Sequence, residues 1–515
     1  MTPINATVAT LLPIAVAPIF FVDIPALNDF LNHLARMHVL ANAGAPDENP
    51  FYEVTWNLYT NMAMDLIVPP LGRVIGVDVA AKAFLVASQV LVVTGAVALE
   101  VAVKGRHQFS GLIALITLFS MPFMGGQTNF EFGTGLALWA AASWFALRHR
   151  PGLRFAVHCL LVAMLFVTHF VALGIYGVTI GICELRRLVT TRRRLQTYVA
   201  TFGLMALPVL FLLGVALLWG GAVTGGATEW RGGMFKVLAL CCSMNGYSIT
   251  HSMATVFTLV IGLGLLWRPL RSITMLPEGK WLAIGFAMLF VIMPWRVSGS
   301  AWIDGRVVIA AFLILPAFIV FAPARRELGY ISAGIAVALV LANVIQASAV
   351  WLSYRDDYAA VRASLKLIEP RSVVLIGHSN ERPVTFFDLR VLPMLSAPTL
   401  AAAHAKALVP QLFSFSGVNP IDVRSEFKHL DVREMVHNIP IQIPTLIATA
   451  HGESPPQGLE FIERWPERYQ YLYMLGPRVP NPLPGILEEI AAGGRFILYR
   501  VTTGSMVGGV KLQSP

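Results

Sequence analysis

Residues 6–22 read ATVATLLPIAVAPIFFV and are followed directly by DIPALNDFLNHLAR at residues 23–36. The first part is an apolar run close to the roughly 20 residues that a helix needs to cross a bilayer. No basic segment precedes it and no clear small-residue cleavage site follows it, so we predict a retained span and not a cleaved signal peptide. The second part is polar and begins where this span would leave the hydrocarbon.

The composition of the whole chain predicts a multi-span membrane protein. Hydrophobic residues make up 56% and charged residues 13%, with a mean hydropathy of +0.66, whereas soluble domains carry about 25% charged residues. The net charge of +9 does not indicate a nucleic-acid partner, because the basic residues flank the apolar runs. A disulfide framework or zinc site is not expected, because the cysteines lie within or beside apolar segments and form no C-x-x-C pair. These cysteines are Cys159, Cys183, Cys241 and Cys242.

Apolar runs of membrane-spanning length predict about eleven transmembrane helices in a mainly α-helical, polytopic domain. The fifth and sixth are the least certain, because His169 could lie either at a turn between them or inside one long helix. The predicted spans are 4–22, 83–103, 109–124, 132–147, 154–168, 170–185, 198–219, 251–267, 281–295, 306–322 and 329–350.

Lysine and arginine are more numerous in alternate loops, which predicts a cytoplasmic N-terminus and places residues 23–82 and the C-terminal region outside. We therefore expect a multi-pass protein of the bacterial inner (plasma) membrane. After residue 350 charged residues become frequent and apolar runs become short, so residues 1–350 are predicted to form the transmembrane domain and residues 351–515 an extracytoplasmic α/β domain. Within it, 372–377 and 495–499 look like strands, and 398–408 and 483–492 look helical.

The polar segment after the first span contains the best candidates for chemistry. Asp23 lies where the first helix leaves the hydrocarbon, and a carboxylate there could be a general base or only a helix-end residue in water. If the segment after Pro25 is helical, Asp29 and His33 share one face, and Arg36 lies close to it. An acid, an imidazole and a guanidinium suit a phosphate-bearing ligand. An amphipathic interfacial helix would show the same pattern.

Further polar residues lie in or beside the other loops that the topology places outside. Each has a simple structural alternative: a solvated loop charge, a helix cap, a packing histidine, a snorkelling arginine, or an Asp304–Arg306 ion pair. As substrate-binding candidates we take Asp65, Glu131, His169, Arg296, Asp304 and Arg306.

The layout of one span, an outer loop with Asp23, Asp29, His33 and Arg36, many spans and an outer soluble domain resembles the GT-C superfamily of integral membrane glycosyltransferases. More narrowly, residues 32–36 (NHLAR) and the glycine-rich loop 125–131 resemble a group of uncharacterised bacterial membrane proteins. The resemblance implies a GT-C-like fold and a polyprenyl-phosphate-linked sugar donor. It also implies transfer on the outer face, with a carboxylate after the first span as catalytic base. Asp23 matches that position best, and Asp29 is the rival.

The resemblance therefore implies an enzyme that moves a sugar to an acceptor glycan, lipid or protein, with membrane lipids as further partners. In this hypothesis Arg36, His33 and Arg306 stabilise the departing phosphate, helped by a divalent cation such as Mg²⁺ or Mn²⁺ and by no other cofactor. Two other classes stay open. A transporter or flippase of lipid-linked glycans would need charges in mid-span. A non-catalytic scaffold of a polysaccharide assembly complex would tolerate substitution of the first-loop acids.

Overall fold

A computed structural model gives the fold of this chain. It describes residues 3–219, 228–297, 300–323, 325–380, 389, 392–415, 417–432 and 438–502. The chain forms two compact units: unit 1 consists mainly of residues 1–27 and 57–352, and unit 2 mainly of residues 28–56 and 353–515. Residues 503–515 of the predicted C-terminal domain lie outside the described part.

The chain is mostly helical, and unit 1 is built almost entirely from helices. In chain order the α-helices are α1 (Pro3–Val16), α2 (Pro18–Phe21), α3 (Phe30–Ala41), α4 (Ala63–Ile75), α5 (Val77–Lys104), α6 (Ser110–Thr117), α7 (Met121–Met124), α8 (Thr128–Ala146), α9 (Pro151–Thr168), α10 (Phe170–Thr190), α11 (Leu195–Trp219), α12 (Met234–Cys241), α13 (Ile249–Trp267), α14 (Pro277–Ile292), α15 (Ile303–Ile314), α16 (Arg326–Ser353), α17 (Arg355–Leu365), α18 (Ala401–His404), α19 (Ile443–Ala450) and α20 (Trp465–Arg468).

Among the described residues, six helices are long and apolar enough to cross a membrane, which indicates a membrane protein. They are Pro3–Phe21, Val77–Lys104, Pro151–Thr168, Leu195–Leu218, Ile249–Trp267 and Arg326–Leu365, the last of which contains α16 and α17. Each coincides with a predicted span, but the predicted total of eleven is not confirmed. The run 109–124 is divided into α6 and α7, and the run 306–322 contains the end of α15 and a short strand.

The chain breaks its helix at His169, so the fifth and sixth predicted spans are two helices and not one. His169 has extended backbone (φ −167°, ψ 117°), and its side chain caps α10 by accepting a hydrogen bond from the Val171 backbone N–H. The neighbouring α5 and α8 pack through glycines. A Cβ on Gly135 would lie 2.8 Å from backbone atoms of both Leu91 and Val92, so the two helix backbones approach as closely as small residues allow.

Short strands occur in both units, and unit 2 contains a five-stranded sheet. In chain order the strands are β1 (Tyr52–Val54), β2 (Ile273–Met275), β3 (Arg296–Val297), β4 (Ser300–Ala301), β5 (Ile319–Phe321), β6 (Val374–His378), β7 (Ile421–Val423), β8 (Ile441–Gln442), β9 (Tyr471–Leu475), β10 (Leu487–Ala492) and β11 (Phe496–Val501).

The sheet of unit 2 has the order β10-β11-β9-β6-β8. Strand β6 is parallel to both β8 and β9, whereas β11 is antiparallel to β9 and β10, so the sheet is mixed. Both predicted strands are confirmed, as β6 and β11. The predicted helix 483–492 is wrong, because residues 487–492 form edge strand β10. Pairing with β11 overrides the helix preference of its Glu and Ala residues. The predicted helix 398–408 is reduced to the single turn α18.

Residues 28–56, which we had assigned to the membrane domain, belong to unit 2 in the structure. Strand β1 pairs antiparallel with β7, with Tyr52 opposite Val423. The amide of Asn49 donates to the carbonyls of Ala402 and Ala407, at 3.0 and 3.1 Å. These bonds join segments about 350 residues apart in the chain, so the first loop is part of the fold of the C-terminal unit.

Candidate functional site: a buried polar cluster around Arg306

Four polar side chains of unit 1 meet at the beginning of α15. The Arg306 guanidinium donates from Nε to Gln127 Oε1 at 2.9 Å and from Nη2 to Ser300 Oγ at 2.9 Å, and it also donates to the carbonyl of Ala301 at 3.1 Å. Its Nη1 lies 3.4 Å from Nε2 of His169. We call Gln127, His169, Ser300 and Arg306 the Arg306 cluster. These contacts fix the plane and direction of a guanidinium that is itself buried.

Aromatic packing and a small residue bring His169 to this cluster. The His169 ring packs edge-on against Phe130, with ring centroids 5.4 Å apart, and Arg306 lies over the same ring at 5.3 Å. A Cβ on Gly133 would lie 3.0 Å from the His169 Cβ and 2.9 Å from the Ala172 Cβ, so only glycine permits this approach of α8. The cluster is therefore built by the residues that precede α8 and α10, by strand β4 and by the first turn of α15.

Amide side chains tie the start of α8 to the loop before α4. Asn129 donates to the carbonyl of Asn61 at 2.6 Å and accepts from the Met64 backbone N–H at 2.8 Å. Two residues of this neighbourhood, Asn61 (φ 72°) and Trp302 (φ 63°), have left-handed backbone. This conformation is uncommon outside glycine, and strained residues of this kind concentrate at functional sites.

Glu131 lies on α8 one helical turn after Gln127 and is only 2% exposed. Among the described residues its carboxyl group has no hydrogen-bond or ion-pair partner. A buried carboxylate without a partner is costly, and such residues are commonly functional. Asp65, in the first turn of α4, is equally buried and follows Met64, which binds Asn129.

Asp304 and Arg296 are predicted site residues that pair with protein groups beside the cluster. Asp304 forms an ion pair with Lys236 at 2.9 Å. The partner of Asp304 is therefore Lys236 and not Arg306, the residue named in the structural alternative. Arg296 lies 3.9 Å from Glu229, and its guanidinium lies 4.7 Å from the Trp295 ring. Both residues therefore help to hold the segments that surround α15.

Asp23 is exposed at a bend that follows α2 in unit 1. The ammonium of Lys82 donates to the carbonyl of Val22, the residue before Asp23, at 2.6 Å. A few residues later the carbonyl of Ala26 accepts a hydrogen bond from the Tyr247 hydroxyl. Asp23 is thus an accessible carboxylate at a well-anchored turn.

Asp29, His33 and Arg36 lie in unit 2. His33 and Arg36 are residues of α3, and the side chains of both are buried. Arg36 donates to Asn419 Oδ1 at 3.2 Å, and the His33 ring packs edge-on against Phe413 at 5.2 Å. Burial, and secondly the charge of Arg36, lower the pKa of His33 well below its usual value. Asp29 precedes α3 and accepts from its neighbour Asn28 at 2.9 Å. In the structure these side chains serve the packing of unit 2.

Within the described part of the chain, no group of three or more His, Cys, Asp or Glu side chains could hold a metal ion. The dependence on a divalent cation stays a prediction.

Sequence reasoning missed Gln127, Ser300 and Lys236 as members of this region. Gln127 had a signal, because it follows Gly125 and Gly126 in the loop already noted, and Gly126 has φ 80°. Ser300 had none in its own sequence, although its partner Arg306 lies only six residues further on. Lys236 had none because its partners, Asp304 and two backbone carbonyls, are distant in sequence.

Comparison with protein-family models, with curated proteins and with solved structures gives no match to this chain. The class of protein is given by the structure itself. The chain is a mostly helical membrane protein with a mixed five-stranded sheet in its C-terminal part.

Proposed function

We propose that the chain is a membrane glycosyltransferase that moves a sugar from a polyprenyl-phosphate-linked donor to an acceptor glycan, lipid or protein on the outer face of the membrane. The observation that carries this proposal is the Arg306 cluster together with Glu131, one helical turn after Gln127, whose buried carboxyl group has no partner among the described residues. A fixed guanidinium suits a phosphate, and a buried carboxylate suits the hydroxyls of a sugar.

In this proposal Arg306 and His169 hold the phosphate of the donor. The guanidinium is oriented before substrate arrives, because Gln127 and Ser300 already bind it. Preorganised donors of this kind stabilise charge that develops on a leaving group. Glu131 accepts a hydrogen bond from a sugar hydroxyl, which gives its buried carboxylate the partner that the described residues do not supply.

Asp23 is the proposed base, because it is exposed and belongs to the same unit as the Arg306 cluster. The acceptor oxygen attacks the anomeric carbon of the sugar, and its proton passes to the Asp23 carboxylate. The bond between that carbon and the phosphate oxygen breaks, and the electron pair leaves with the polyprenyl phosphate. A single displacement inverts the anomeric configuration. Asp29 remains the rival base.

The test is transfer of radiolabelled sugar from a panel of polyprenyl-phosphate sugars by the full chain in proteoliposomes. Arg306→Gln should lower donor turnover about a hundredfold or more, which is the usual cost of losing one preorganised donor. Arg187→Gln is the matched control, because Arg187 is more than half exposed and pairs with Glu184 near the other end of α10, and it should cost much less.

Asp23→Asn and Asp29→Asn identify the base. We expect turnover to be lost in Asp23→Asn with folding retained, and full transfer by this variant would exclude Asp23 as base. If wild type turns over no donor but moves lipid-linked glycan across the bilayer, the function is that of a flippase. Equal losses in Arg306→Gln and Arg187→Gln would remove the cluster from the proposal.

A further inference from the structure

The short helix α12 has its polar and apolar sides reversed relative to a helix that faces water. Its charged residue, Lys236, points inward and is largely covered. Its outward side carries Met234 (69% exposed), Val237 (53%) and Leu240. An isolated helix in an aqueous loop would expose the lysine and bury the aliphatic side chains.

The inward side of α12 is held by a dense set of bonds to Lys236. The ammonium donates to the carbonyls of Phe290 and Met293, at 2.9 and 2.6 Å, and to Asp304 at 2.9 Å. These carbonyls are at the C-terminal end of α14, where a cation is favourable. The orientation of α12 is therefore fixed, and its outward apolar side is not the result of a loosely placed loop.

Trp230 extends the same apolar surface just before α12. It is 66% exposed, and its indole N–H donates to the carbonyl of Ile292 at 3.2 Å. Tryptophan with one polar contact and an exposed apolar ring is typical of the membrane–water interface. Eight residues of helix are about 12 Å long, far short of the roughly 30 Å hydrocarbon core. This segment therefore cannot be another span.

We propose that residues 230–241 form an interfacial element that inserts its apolar side, made by Trp230, Met234, Val237 and Leu240, into lipid of the outer leaflet. The occupant is bilayer lipid, because this side resembles the exposed apolar surface of spanning helices such as α11 and carries no outward charge. The Lys236–Asp304 ion pair joins this element to the first turn of α15, which also carries Arg306. The inference does not depend on glycosyl transfer.

The experiment places a single cysteine, labelled with the fluorophore NBD, at Met234 or Val237 in a full-length chain reconstituted in liposomes. The native cysteines Cys159, Cys183, Cys241 and Cys242 are first replaced by alanine or serine. Leu210, exposed in α11, is the control for the bilayer interior, and Ile439, exposed in unit 2 and distant in sequence from every candidate span, is the control for water. The expected result is a blue-shifted emission at 234 and 237. We also expect stronger quenching by a shallow doxyl lipid than by a deep one, with the reverse order at 210.

The proposal is overturned if labels at 234 and 237 behave like the label at 439, unquenched and accessible to membrane-impermeant reagents, while 210 is quenched. If the cysteine-free chain does not fold, wild-type protein is photolabelled with a phospholipid that carries a diazirine near its headgroup. Adducts on the peptide that contains residues 234–240 support the proposal, and adducts on α11 without any on this peptide contradict it.

Discussion

Two buried carboxylates of unit 1, Glu100 and Glu131, are equally hidden from solvent but have opposite surroundings. Glu100 is fully buried, pairs with Lys104 at 2.5 Å, and accepts backbone N–H groups of Gln108 and Ser110 at 3.0 and 3.1 Å. Glu131 has no partner for its carboxylate among the described residues. A buried acidic group that the protein satisfies itself indicates a structural role, whereas one without a partner among the described residues indicates a ligand.

The surroundings of Glu100 explain why it belongs to the architecture. Its partner Lys104 also donates to the carbonyl of Ile319 at 2.6 Å, and Gln108 exchanges two hydrogen bonds with the backbone of Phe321. This cluster therefore joins the end of α5 to β5. The Arg306 cluster also joins separate segments of unit 1. The carboxyl group of Glu131, one helical turn after Gln127, has no hydrogen-bond partner among the described residues.

The largest loss of stability in this comparison is expected when Glu100 is substituted. Glu100→Gln removes the charge that compensates Lys104 in a buried site, and such a loss costs about 3–5 kcal/mol. We expect a strongly lowered melting temperature in detergent, or failure to obtain monodisperse protein. Glu229→Gln, at a half-exposed pair with Arg231, is the control and should cost about 1 kcal/mol or less. Similar melting of both variants would contradict the structural role of Glu100.

A smaller effect is expected where α5, which carries Glu100, meets α8, which carries Glu131. Gly135→Ala would place a Cβ 2.8 Å from backbone of α5, and backbone cannot yield as a side chain can. Overpacking of this kind costs about 1–3 kcal/mol. Gly174→Ala in α10 is the matched control, because nothing lies within 4 Å of its Cβ. Thermal unfolding in detergent compares them, and equal stability would mean that the helices do not approach so closely.

The smallest effect concerns His33, a buried ionisable residue of unit 2. Its pKa is lowered in the folded state by burial and by Arg36, so it is neutral in both states above its ordinary pKa of 6.5. As pH falls below that value, only the unfolded state takes up the proton, and stability is lost. The melting temperature should therefore fall from pH 7.5 to 5.5 less steeply for His33→Gln than for wild type. Parallel slopes would show that His33 does not contribute.

Local patterns predicted much of unit 1 and part of the sheet. The apolar runs located six helices of spanning length, and the run at 372–377 located β6. Long-range contacts could not be predicted. The bonds of Asn32 to Gln411 and Phe413 draw α3 into unit 2 across about 380 residues of chain. The sequence predicts a helix where β10 forms, because the pairing of β10 with β11 is not visible in the residues of β10 alone.

The sequence predicted several residues of the candidate site, but it did not predict which of them lie together. His169 and Arg306 were both expected to lie near a phosphate, and the structure brings them to 3.4 Å across 137 residues of chain. Asp29, His33 and Arg36 were expected with them but lie in unit 2. Helical spacing showed that these three could share a face, but not that unit 2 would cover it.

The most direct test of the central claim measures Glu131→Gln and Glu100→Gln side by side, for melting temperature in detergent and for sugar transfer in proteoliposomes. Glutamine keeps the shape of each side chain and removes its ability to ionise. We predict that Glu131→Gln melts at or above the wild-type temperature and loses most donor turnover, whereas Glu100→Gln loses stability first. If Glu131→Gln unfolds as Glu100→Gln does, or keeps full turnover, then Glu131 is not held for a substrate and the account is wrong.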